Sequence, residues 1–109
     1  MTGRATSRAT RTTANLPRSD DFPLLASFFR GYLHQDFAEE YETAAAALDA
    51  FRKDVGAARA RALEAESRRL ATLVADVPLA AIRELLRREF GSGWYPRSKG
   101  EVLNLLGRR

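Results

Sequence analysis

The chain has 109 residues, 18 bases against 14 acids, and no cysteine. That length fits one domain with a modest core, and the missing thiols exclude disulfides and thiolate metal sites, so the reducing cytoplasm is the expected compartment. No run approaches the roughly 18 apolar residues of a spanning helix, and no membrane partner is expected. The net charge of +4 hints at nucleic acid, but Arg4, Arg8, Arg11 and Arg18 account for all of it. Residues 20–54 carry 8 acids against 3 bases and residues 55–109 carry 6 against 11, so the remainder is a neutral dipole with its acidic half first.

Residues 1–19 are rich in Thr, Arg and Ala, with one Leu and no aromatic. They bury too little apolar surface to offset the entropy of ordering, and a disordered basic tail is expected ahead of a domain over residues 20–109. The apolar stretch of a secretory signal is absent, and the amphipathic face of a transit peptide is missing too. The chain's main aromatic concentration follows, with Phe22, Phe28, Phe29, Tyr32, Phe37 and Tyr41 around the only His. Pro23 suits a first helical position, and Leu25, Phe28, Phe29 and Tyr32 recur at helical spacing. After Gly31 the text turns polar, and Asp36, Glu39, Glu40 and Glu42 form an acidic patch beside these aromatics.

Thr43 is a plausible N-cap for a second helix striped by Ala44, Leu48, Phe51 and Val55, with a break at Gly56. A third helix over residues 57–76 places Leu63, Leu70, Leu73, Val74 and Val77 on one side and pairs Glu64 with Arg68. Glu66 and Ser67 fall near that stripe and read as a helix edge close to solvent. Pro78 starts a fourth helix through Leu79, Ile82, Leu85, Leu86 and Phe90, with Arg83, Arg87 and Arg88 outside and Gly91 and Gly93 at its end. Trp94 and Tyr95 share the next loop. Ser98 and Glu101 then have capping-box spacing ahead of Val102, Leu105 and Leu106. The expected fold is all-α, a compact bundle of about five helices joined by short loops.

Catalysis finds little footing. His34 and Asp36 are close in sequence, but no nucleophile accompanies them, and Asp36, Glu39 and Glu40 at helical spacing more often make a solvated face than a cation site. No phosphate-binding glycine loop occurs. No catalytic, cofactor-binding or metal-ligating set is therefore expected. Arg59, Arg61, Arg68 and Arg69, with Arg83, Arg87 and Arg88, allow an alternative reading as a nucleic-acid-binding or regulatory helical domain, although long Arg stems also coat ordinary amphipathic helices.

Phe28, Phe29, Tyr32, Leu33, His34, Gln35, Asp36 and Phe37, followed by Tyr41, Glu42 and Thr43 and then Ala47, Leu48 and Phe51, make a specific string. It resembles the signature of small helical immunity proteins from bacterial contact-dependent growth inhibition systems. Leu85, Leu86, Phe90, Gly91, Tyr95 and Pro96 resemble that family more loosely. The chain departs from the pattern at Ala44, Ala45 and Ala46, where Pro and acids are usual, and in the shortened loop before the last helix. The resemblance implies a cytoplasmic, non-enzymatic inhibitor that binds the toxic C-terminal domain of a delivered effector. Nuclease toxins are often basic, so Asp36, Glu39, Glu40, Tyr41 and Glu42 are the expected toxin-facing residues. Tyr32, His34, Gln35, Asp36 and Phe37 are expected to be mainly structural, with His34, Gln35 and Asp36 tying the first helix to the second.

Overall fold

The computed structural model describes residues 16–108, so the tail expected over residues 1–19 lies outside it as far as residue 15. After a 3-10 turn at Ser19–Asp21 come six α-helices: α1 Pro23–Gly31, α2 Phe37–Tyr41, α3 Ala44–Val55, α4 Ala57–Val74, α5 Leu79–Arg88 and α6 Lys99–Leu106. No strand occurs among the described residues, and the all-α expectation holds. The helix beyond the expected five is α2, whose single turn is too short to show a periodicity.

Local chemistry accounts for most helix ends. Thr43 Oγ1 accepts from the Ala46 N–H at 3.0 Å and Ser98 Oγ from the Glu101 N–H at 3.1 Å, satisfying donors that a first turn leaves unpaired. The break at Gly56 is present, with φ at 89°, a conformation open to glycine without a Cβ penalty. Glu64 reaches back across this break to Arg52 at 2.9 Å, in place of the expected pair with Arg68.

Helix α4 is the hub of the bundle and packs on α1, α3 and α6. Its inward face differs from the expected stripe, because Leu73 is 50% exposed while Glu66 and Ser67 are buried. Leu63, Glu66, Ser67, Leu70 and Val74 recur at three- and four-residue steps and form the true inner face. A carboxylate is buried there because α1 needs an acceptor. Phe22 supplies no side-chain cap, and Glu66 accepts from the N–H groups of Leu24 at 3.3 Å and Leu25 at 2.9 Å. Its negative charge also suits the positive end of the α1 dipole.

Around α1 the Phe rings close into a cluster. Phe28 and Phe29 lie 5.3 Å apart, Phe28 meets Phe51 at 5.6 Å, and Phe29 meets Phe90 at 5.5 Å. The N-terminal strap closes this end, since Leu16 packs on the core and Pro17 and Ser19 are buried. Ser19 donates its N–H to Glu89 at 2.9 Å, and Arg30 donates to the Glu89 carbonyl at 3.1 Å. The Ser19 bond, with Arg18 and Arg30 nearby, holds the Glu89 carboxyl below its ordinary range despite its partial burial. Among the described residues, Leu16 already packs against the core.

Candidate functional site

The aromatic and acidic string lies where α1, α2 and α3 meet. Tyr32, just past the end of α1, donates its hydroxyl to Asp54 on α3, stacks on Tyr41 of α2 at 5.7 Å, and meets the edge of Phe51 at 5.0 Å. One half-buried side chain therefore joins three helices. Tyr32 and Phe28 both reach α3, and no hydrogen bond among the described residues joins the side chains of His34, Gln35 or Asp36 to that helix. His34 Nδ1 accepts from the Asp36 N–H at 3.1 Å, and its Nε2 lies 3.4 Å from Glu40, so this His shapes its own turn. Nothing in sequence pointed to Asp54, whose role depends on how α1 and α3 pack.

Hydrogen bonding to Asp54, then burial and the negative charge around it, pushes the Tyr32 hydroxyl up from 10.0 to about 12. The fold favours the neutral phenol, so this contribution is complete below pH 10.0 and is lost as the pH rises through about 12. Tyr32→Phe should lower the melting temperature at neutral pH, and the gap from wild type should narrow across that alkaline window. A gap independent of pH would mean that the hydroxyl bond contributes nothing.

The turn after Tyr32 is held by backbone. The Gly93 N–H donates to the Leu33 carbonyl at 2.5 Å, and a Cβ on Gly93 would stand 2.4 Å from the Gln35 nitrogen and 2.6 Å from its Cα. Gln35 therefore contributes its main chain to the fold while its side chain is exposed.

Asp36, Glu39, Glu40 and Glu42 are all exposed and, with half-buried Tyr41, form one edge of the molecule. Among the described residues none of these carboxylates lies within 4.0 Å of a Lys or Arg, whereas Glu64, Glu84 and Asp49 elsewhere are all paired with Arg. Burial, with Glu40 and Asp54 nearby, raises the Tyr41 hydroxyl above its ordinary value, as a field of unbalanced negative charge would.

Glu42 has φ 69° and ψ −47°, and the Thr43 N–H bonds to the Tyr41 carbonyl across it at 2.8 Å. This is a γ-turn in its strained, positive-φ form. Beside it opens a cleft of about 590 Å³ lined by Phe37, the start of α3, the Trp94–Tyr95 loop and α6. The pairing of Trp94 with Tyr95 was visible in sequence, but the cleft they wall was not, because its opposite side comes from the turn at Glu42. Among the described residues no cluster of His, Cys, Asp and Glu could hold a metal ion, and no helix is long and apolar enough to cross a membrane.

The structure is that of a small all-α domain carrying an exposed acidic and aromatic edge. The family profile described as CdiI immunity protein matches residues 21–103, and the chain belongs to that family. No curated protein and no solved structure matched the chain.

Proposed function

We infer that the chain binds and neutralises the toxic C-terminal domain of a cognate contact-dependent growth inhibition toxin, or a related polymorphic toxin, by covering its active site in the cytoplasm. Family membership supports the toxin-neutralising role. The observation that carries the finer reading is the exposed row Asp36, Glu39, Glu40 and Glu42, without a Lys or Arg partner among the described residues and set beside the Tyr32–Tyr41 stack. Such an edge complements a basic cleft that handles a polyanion. On this reading the protein performs no catalysis and needs no cofactor.

Much of the basic half is engaged internally, which weakens the nucleic-acid alternative. Arg87 and Arg88 both pair with Glu84, Arg83 donates to the Pro96 carbonyl, and Arg69 covers Phe22 while donating to the Asp21 carbonyl.

The test is charge reversal at Glu39 and Glu40, with cells expressing the cognate toxin domain as the readout. The double Lys variant should keep its helical circular dichroism, because exposed charges contribute little to stability. It should protect less, and its association rate at low salt should fall by about tenfold, with the difference shrinking at high salt. Full protection together with a wild-type association rate would remove this edge from the interface.

A further inference from the structure

We propose that the cleft between the Glu42 turn and the Trp94–Tyr95 loop anchors the toxin, taking a protruding segment that carries an aromatic or long aliphatic side chain beside a Lys or Arg. This rests on the toxin-binding reading and adds the place and chemistry of the grip.

Tyr95 is 68% exposed, yet it is held in position. The Arg83 guanidinium lies over its ring at 4.1 Å and is itself fixed by an Nε bond of 2.8 Å to the Pro96 carbonyl. On the other side of the loop the Trp94 N–H bonds to Ser92 Oγ at 3.0 Å, and Gly93 is seamed to the Leu33–Gln35 backbone. An exposed aromatic on so constrained a loop loses little freedom when a partner covers it, and aromatic anchors of this kind dominate interface energetics. Phe37 and Trp94, both half-buried, supply apolar wall for an inserted side chain.

Charge selects the neighbour of that side chain. Arg108, on the α6 side, is neutralised by a two-pronged pair with Asp49 at 2.9 and 2.7 Å, and Arg97 and Glu101 at the rim are of opposite sign. Glu42 is left unbalanced, with the other acids of the α2 edge beyond it. Its backbone adds a second argument: glycine would relieve the strain at φ 69°, but the chain places a carboxylate there, and strain of this kind is characteristic of functional positions.

The probe is the purified C-terminal domain of the cognate toxin, titrated against wild type, Tyr95→Ala and Glu42→Gly. Tyr95→Ala should retain its helical content and bind at least tenfold more weakly. Glu42→Gly should melt at the same temperature or higher and also bind more weakly, so stability and affinity move in opposite directions. Fluorine-labelled Trp94, the only tryptophan in the chain, gives a readout independent of any variant, and its resonance should shift on complex formation. If wild type binds while both variants bind equally well and the resonance stays in place, the cleft is not the anchor and the toxin-binding reading stands. If wild type neither binds the domain nor protects against it, that reading fails and the cleft proposal falls with it.

Discussion

Phe29→Ala should destabilise the domain by about 3 to 5 kcal/mol, a large share of what so small a fold has. The ring is 1% exposed and sits between Phe28 at 5.3 Å and Phe90 at 5.5 Å. Phe90 in turn reaches Phe22 at 6.3 Å, so removing Phe29 opens a void between the first helix and the end of α5. That void cannot collapse easily. Phe22 leads into α1, whose first turn is held by Glu66, and Glu89 beside Phe90 is bonded to Ser19. Denaturant unfolding should show a lower midpoint with an unchanged slope. Phe29→Leu should lose much less, because it keeps most of the apolar volume, and a loss under about 1 kcal/mol for Ala would show that the walls do close in.

The helical stripes and caps were legible because they are local. Thr43 and Ser98 cap as their spacing indicates, Gly56 breaks the chain, and Phe28 and Phe29 point inward as a 3.6-residue period requires. Glu66 shows where that reasoning stops. A Glu on the apolar face of α4 read as a solvent edge, since the acceptor demand it meets belongs to α1, some forty residues earlier in the chain. Leu73 was placed inside for the complementary reason: hydropathy counted it toward a stripe that geometry completes with Glu66 and Ser67. The contact of Ser19 with Glu89 has the same character, since it joins residues seventy apart that no local pattern relates.

The candidate site divides along the same line. The acidic string and its aromatic neighbours could be read directly, since exposure of consecutive charged residues needs little tertiary information. What makes that string a shaped surface comes from elsewhere: Asp54 under Tyr32, the strained turn at Glu42, and the Trp94–Tyr95 loop facing it across the cleft. None of these has a local signature. The last of them depends on Gly93, which lets its loop lie against the His34–Gln35 backbone.

Gly93→Ala tests that dependence. Gly93 has no positive φ, so its backbone conformation is open to Ala, and the expected damage is wholly steric. The added methyl would sit 2.4 Å from the Gln35 nitrogen and 2.6 Å from the His34 carbonyl carbon, atoms of main chain that cannot rotate away. The two loops must separate, stretching the 2.5 Å bond from the Gly93 N–H to the Leu33 carbonyl and shifting the adjoining Trp94. Overpacking against backbone falls at the upper end of such penalties, about 3 kcal/mol. The fluorescence of Trp94 should move to longer wavelength as its surroundings become wetter, while Gly91→Ala, where φ is 64° and the nearest atoms belong to the flexible Arg30 side chain, should leave that fluorescence nearly unchanged. If Gly93→Ala unfolds at the wild-type denaturant midpoint with unaltered Trp94 emission, the two loops are not packed backbone to backbone, and the cleft has no rigid wall on that side.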